Sequence, residues 1–141
     1  LRPLPDLPVA DQLRGPRAGT GDWAAGLRAY RRRDYARAAA LLEAARVGPA
    51  QRTARDLYLA SSLAFVGEDS LAAVRLDSVL AGFVPEPWSS EARWTLACVL
   101  RRRGATARAD SLLRVLASEP GPVGERARRL RPEAGAPDRP E

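Results

Sequence analysis

Residues 26–45 read GLRAYRRRDYARAAALLEAA and contain a spacing of small and apolar residues that decides the fold. A small residue is followed after twelve positions by an alanine, after four more by a leucine and after three more by an apolar residue. The three copies of this spacing are Gly26, Ala38, Leu42 and Ala45; Ala60, Ala72, Leu76 and Val79; and Ala97, Ala109, Leu113 and Leu116. The first two copies begin 34 residues apart and the last two 37 residues apart. Such intervals predict an array of stacked units.

Each copy predicts a helical hairpin. In the second half of the first copy, apolar residues at Ala38, Leu41, Leu42 and Ala45 follow the i, i+3, i+4, i+7 pattern of an amphipathic helix. We expect hairpins over residues 20–50, 51–86 and 88–122, with a capping helix at 123–131 that covers the last apolar face. The predicted fold is therefore all-α, with a domain spanning residues 20–131.

The flanks differ in composition from the array. Residues 1–19 contain four prolines, which favour extended backbone, so we interpret this stretch as a proline-rich arm or linker laid along the first helices. Residues 132–141 are expected to be a disordered tail. The apolar side chains able to dock the arm are Leu4, Leu7, Val9 and Leu13.

The sequence also predicts where helices begin and where they cross. Side chains that accept hydrogen bonds from first-turn amides are expected at the helix starts. The candidates are Thr20 or Asp22, Asp69 or Ser70, Ser89 or Ser90, and Thr106. Helices that approach to about 8 Å leave no room for a large side chain at the crossing. We therefore expect Ala72→Leu to destabilise the fold more than Ala73→Leu does.

Composition indicates a folded, non-catalytic chain. Apolar residues make up 45% of the sequence, and its longest uncharged apolar runs, such as residues 57–66, are too short to cross a bilayer. Cys98 is the single cysteine and there is no histidine, so the usual catalytic and cysteine-zinc constellations cannot be assembled. We expect no enzymatic activity, no cofactor and no metal.

All 23 basic residues are arginine, and the formal net charge is +6. The use of arginine in place of lysine is typical of a GC-rich bacterial genome. The runs at residues 31–33 and 101–103 lie at the ends of predicted helices, where cations meet the negative end of the helix dipole. The alternative is a strip that binds the phosphates of nucleic acid, extended by Arg126, Arg128, Arg129 and Arg131.

The repeat resembles the tetratricopeptide family over residues 20 to about 122. The small residue of that family's first helix matches Gly26, Ala60 and Ala97, and that of its second helix matches Ala38, Ala72 and Ala109. The turn glycine of the family is present as Gly67 and Gly104 but is Arg33 in the first unit. Two departures stand out: the family's tryptophan is displaced by one residue, to Trp23 and Trp94, and the tyrosine of its first helix is Ala29, Leu63 or Leu100.

The resemblance implies a superhelix whose first helices form a concave groove that binds a segment of another protein. It places these residues in the groove: Trp23, Leu27, Tyr30, Arg31, Leu57, Ser61, Phe65, Trp94, Arg101 and Arg102. Aromatic residues and arginine suit a partner segment with apolar and acidic residues. Alternatively, Trp23, Tyr30 and Trp94 only pack between units or against the arm.

A second, weaker resemblance concerns cellular location. Residues 91–97, EARWTLA, and the insertion before them are similar to repeat regions that follow a membrane anchor in bacterial anti-sigma-like zinc-finger proteins. They are less closely similar to periplasmic repeat proteins of the division machinery. This resemblance implies a periplasmic or extracytoplasmic domain, with the arm as the spacer from an anchor that would precede Leu1.

Overall fold

The computed structural model describes residues 1–5 and 21–130. Seven α-helices and no β-strand occur in these ranges, so the described chain is all-α, as its periodicity predicts. Predictions for Leu7, Val9, Leu13, Thr20, Arg131 and the tail lie outside the described residues. The helices are α1 (Asp22–Arg31), α2 (Tyr35–Ala44), α3 (Pro49–Phe65), α4 (Asp69–Leu80), α5 (Trp88–Arg102), α6 (Thr106–Ser118) and α7 (Pro122–Leu130).

The same turn joins the two helices of each hairpin. Arg33, Gly67 and Gly104 adopt φ values of 62°, 84° and 78°, in the left-handed region that closes a helix. In each turn, the residue that follows the left-handed position donates its amide to the carbonyl five positions earlier. In the first turn this bond joins Asp34 to Ala29 at 2.9 Å. The three turns are therefore Schellman motifs in the same register, and in the first of them arginine takes the position of glycine.

Most of the predicted capping side chains do not cap a helix. The residues preceding α1, α4, α5 and α6 form no side-chain capping bond, so the assignments to Asp22, Asp69 or Ser70, Ser89 or Ser90, and Thr106 are wrong. In α4 and α6 the left-handed turn places the helix boundary one residue earlier, at Glu68 and Ala105. The side chain of Asp34 does cap α2, by accepting from the amide of Arg37 at 3.3 Å.

Packing places small residues where the helices cross. Each helix packs against the next, and contacts also join α1 to α3, α3 to α5 and α5 to α7. A Cβ atom on Gly26 would lie 2.8 Å from Cγ of the fully buried Leu42. Ala73 is buried nearly as completely as Ala72, so burial does not support the expected difference between their leucine variants.

Two clusters of buried side chains form the core. The larger extends over α1 to α5, includes Ala109 of α6 and also contains Leu4. The smaller joins the outer parts of α5 and α6 to α7 through Trp94, Leu113, Leu116 and Val123, among others. Within the described ranges, no helix is long and apolar enough to cross a membrane.

Candidate functional site

Residues 1–5, which we call the docked segment, are hydrogen-bonded to α1 and α5. The Leu4 side chain is 6% exposed and belongs to the larger core cluster. Its backbone N–H donates to the Tyr30 hydroxyl of α1 at 2.8 Å. The next carbonyl, that of Pro5, accepts from Nε1 of Trp88 at the start of α5 at 3.2 Å. Two consecutive residues of an otherwise separate segment are thus held by side chains from the first and third hairpins.

Tyr30 connects this segment to the second hairpin. Its hydroxyl lies 2.8 Å from Oγ of Ser61, on α3, so one phenol links the docked segment, α1 and α3. Burial raises the pKa of Tyr30 to about 12, although the hydrogen bonds to Ser61 and Leu4 act in the opposite direction. The side chain therefore stays neutral over the physiological range and keeps its hydroxyl proton.

An aromatic cluster surrounds the phenol. The Tyr30 ring makes edge contacts with the rings of Tyr58 and Tyr35, with centroids 4.9 and 5.3 Å apart. Trp23 meets Tyr58 edge-on at 6.4 Å, and Tyr35 stacks on Phe65 at 4.1 Å. These contacts fix the ring of Tyr30 from both hairpins, which sets the position of its hydroxyl.

The structure separates the ten predicted groove residues into three sets. The buried ones are Trp23, Leu27, Tyr30, Leu57, Ser61 and Trp94. Phe65 is half-buried against Tyr35, and the exposed ones are Arg31, Arg101 and Arg102. Tyr30 and Ser61 come together beneath the docked segment, whereas Trp94 lies in the smaller core cluster.

Two of the arginines discussed above form contacts within the array. Arg102 donates to both carboxylate oxygens of Asp69 and, at 2.8 Å, to the carbonyl of Ala64. Arg126, on α7, lies over the Trp94 ring at 4.9 Å and forms an ion pair with Glu91. These guanidinium groups connect successive units of the array.

Sequence reasoning missed Trp88 and Tyr58. Trp88 precedes the predicted caps Ser89 and Ser90, yet it follows Pro87 directly and is the first residue of α5. Tyr58 precedes Ser61 by three positions, so both lie on one helical face. This spacing could have identified Tyr58 as a site residue. No sequence pattern distinguishes the Trp88 indole as a donor to Pro5, because that bond joins residues far apart in the chain.

The arrangement offers fixed hydrogen-bonding groups beside apolar surface, which suits the binding of an extended chain. Among the described residues, no cluster of histidine, cysteine, aspartate and glutamate side chains could hold a metal ion. Cys98 is half-buried, and desolvation raises the pKa of its thiol. Comparison of the chain with models of known protein families, with curated proteins and with solved structures found no match.

Proposed function

We propose that the chain is a tetratricopeptide-type superhelix of three hairpins and a capping helix, which acts as a non-catalytic scaffold for protein interaction. The shared register of the three Schellman turns supports equivalent units. The contacts among α1, α3, α5 and α7 support the curvature, because the helices that approach each other in a stacked array lie on its inner side. The inner face is then formed by the first helix of each hairpin.

The observation that carries this proposal is the docked segment. It is an extended stretch of chain held on inner helices through one buried side chain and two backbone hydrogen bonds. A face that binds its own chain in this way has the groups needed to bind a segment of a partner protein. The exposed Arg101, at the end of α5, adds a positive charge for acidic residues of that partner.

The proposed setting is the bacterial cell envelope, outside the cytoplasmic membrane. The similarity of residues 91–97 to repeat regions of anti-sigma-like membrane proteins supports this location. The arginine-only basic composition supports a GC-rich bacterial source. Fusing the preceding genomic coding sequence and this chain to alkaline phosphatase tests the location. Phosphatase activity in intact bacteria is expected, and its absence would overturn the envelope assignment.

The scaffold function is tested by selecting peptides from a displayed random library on the immobilised chain. Peptides with apolar and acidic residues are expected to emerge. Arg101→Glu should weaken their binding at least tenfold through charge repulsion. Arg114→Glu, an equivalent change at an exposed position of α6, should change it less than twofold. No selected peptide, or greater sensitivity to Arg114 than to Arg101, would overturn the proposal.

Nucleic-acid binding is the second candidate, because the arginine runs at 31–33 and 101–103 are exposed. Against it, Arg102 and Arg126 already form ion pairs with carboxylates of the array. Binding to single-stranded RNA and to duplex DNA at 50 mM salt decides between the candidates. Phosphate contacts would produce a steep salt dependence, and flat or absent binding would exclude this function. Partners can also be recovered from bacterial lysate with and without nuclease. If nuclease treatment abolishes their recovery, nucleic-acid binding is favoured instead.

A further inference from the structure

We propose that the docked segment occupies, within its own chain, the site that receives a leucine–proline segment of the partner. This inference rests on the proposed scaffold function and specifies the chemistry of the ligand. The preferred ligand is an extended segment in which leucine is followed by proline. The partner binds by displacing residues 1–5, so the unbound chain keeps this site closed.

Leucine specificity follows from the contrast within the docked segment. Leu4 is its one buried residue, while Leu1, Arg2, Pro3 and Pro5 are exposed. The larger core cluster, to which Leu4 belongs, is apolar and aromatic, and it also contains Trp23, Tyr30 and Tyr58. A charged or polar side chain at this position would be buried without a partner, which is unfavourable. One position of the ligand therefore carries most of the selectivity.

Proline specificity follows from the backbone. The residue before a proline is restricted to extended conformations, so Pro5 fixes the shape that Leu4 needs. That shape directs the Leu4 N–H to Tyr30 and the Pro5 carbonyl to Trp88. Pro5 has no N–H that would be left unsatisfied. A ligand with the same dipeptide loses little conformational entropy when it binds.

Tethering explains why the site is filled by the chain itself. One leucine and two hydrogen bonds form a small contact, which is weak between separate molecules. Because the docked segment and α1 belong to one polypeptide, docking is intramolecular, with an effective concentration on the order of millimolar. A partner segment must compete with the docked segment for the site. Its apparent affinity for the unaltered chain is therefore about ten- to a hundredfold lower than its affinity for an open site.

The experiment measures binding of a labelled peptide, LRPLPD-amide, to the full chain by fluorescence anisotropy. In the Leu4→Asp variant the chain's own segment no longer docks, so the probe is expected to bind at least tenfold more tightly than to the unaltered chain. The matched control is Leu1→Asp, the same change at an exposed position of the same segment. It should bind the probe as weakly as the unaltered chain, and a probe with aspartate in place of its second leucine, which corresponds to Leu4, should bind no variant.

Equal probe affinity for the Leu4→Asp and unaltered chains, with circular dichroism showing both folded, would overturn the inference. If Leu4→Asp does not fold, Leu4→Ala replaces it, because that change removes most of the buried side chain of the docked segment and leaves Tyr30 and Trp88 available to the probe, so it should also tighten probe binding. No tightening in that variant would likewise overturn the inference.

A comparison with the library peptides separates this inference from the proposed function. If selected peptides bind the Leu4→Asp and unaltered chains equally well, they do not compete with the docked segment. That result would overturn this inference but would be consistent with the scaffold function. The absence of any selected peptide would overturn the scaffold function, and with it the inference, whatever the probe does.

Discussion

At Gly124 the backbone of α7 approaches the end of α6 too closely for any side chain. A Cβ atom there would lie 2.0 Å from the carbonyl oxygen of Glu119 and 3.0 Å from that of Leu116. We expect Gly124→Ala to lower the free energy of unfolding by about 2 kcal/mol, measured by urea denaturation, because backbone must move. Gly82→Ala is the control, since its Cβ would meet nothing closer than 3.6 Å. Equal urea midpoints for the two variants would contradict this packing.

Tyr30 makes stability sensitive to alkaline pH. Its pKa is about 12 in the folded chain against 10.0 for a free tyrosine, so the folded state binds the proton more tightly. Its contribution to stability is complete below pH 10 and is lost as the pH rises toward 12. We expect the urea midpoint to fall between pH 10 and pH 12, and to fall less in Tyr30→Phe. An equal fall in both proteins would show that other groups are responsible.

At the scale of the element, Arg33 closes α1 in a conformation that suits glycine. Its φ of 62° matches the values of Gly67 and Gly104 in the other two hairpins. A side chain in the left-handed region is unfavourable, so Arg33→Gly should raise the free energy of unfolding by about 0.5–1 kcal/mol. Arg32→Gly is the control, because Arg32 has φ of −79° and gains nothing from glycine. Greater stabilisation by the Arg32 change would contradict this turn.

Arg102 connects the third hairpin to the second. It donates to the carboxylate of Asp69, the first residue of α4, and to the carbonyl of Ala64 on α3. Because its side chain is 41% exposed, solvent screens the pair, and Arg102→Gln should destabilise the fold by only about 0.5–1 kcal/mol. We expect the loss to shrink in 1 M NaCl, where charges are screened.

The control for Arg102 is Arg103→Gln, at the exposed neighbouring position. It should change stability by less than about 0.5 kcal/mol. A double-mutant cycle of Arg102→Gln with Asp69→Asn isolates the pair itself. A coupling energy of zero would show that the ion pair contributes nothing to the attachment of α5.

Helix content was predictable from the repeat, whereas helix starts were not. The spacing around Ala38, Ala72 and Ala109 determines which residues are buried at helix crossings, and these three have no exposed surface. The start of a helix depends instead on the turn before it. The Asp69 carboxylate binds Arg102 of another hairpin and does not cap its own helix, and no local pattern contains that information.

The candidate site was predictable in part, for the same reason. Tyr30 and Ser61 occupy equivalent helical faces, and the structure brings them within 2.8 Å. The resemblance to the tetratricopeptide family also assigns Trp94 to the groove, and the structure places this side chain in the smaller core cluster with residues of α7. Trp88 was missed because its indole bonds to Pro5, a residue more than eighty positions away. Periodicity identifies faces of helices but not which distant segment covers them.

At the scale of the whole molecule, arginine–carboxylate pairs join successive units. Arg75 of α4 binds Glu43 of α2, and Arg108 of α6 binds Asp77 of α4. Arg126 of α7 binds Glu91 of α5. These pairs connect neighbouring units, and they occupy guanidinium groups that composition alone would assign to a nucleic-acid partner.

The two core clusters predict that the array opens in parts. Leu116 is fully buried in the smaller cluster, and Leu42 is fully buried in the larger one. Leu116→Ala should lower the free energy of local unfolding by about 2–5 kcal/mol, because it leaves a cavity. In an array whose units contact only their neighbours, that loss should speed hydrogen exchange in α6 and α7 and leave α1 and α2 nearly unchanged.

Leu42→Ala is the matched change in the larger cluster and should give the reverse pattern, with faster exchange in α1 and α2. Mass spectrometry of the exchanged protein, resolved to individual helices, distinguishes these outcomes. If both variants exchange faster by the same factor in every helix, the chain unfolds as one unit and the two clusters are energetically inseparable.

The two hydrogen bonds to the docked segment also select the direction in which a peptide chain lies on this face. An indole N–H can only donate, so Trp88 requires a carbonyl, whereas the hydroxyl of Tyr30 accepts the amide one residue earlier. A chain laid in the opposite sense would present an N–H to the indole, and two donors would face each other. A leucine–proline segment placed on this face in the opposite chain direction would present the same leucine, yet it would bind poorly. This face therefore selects polypeptide polarity as well as side-chain identity.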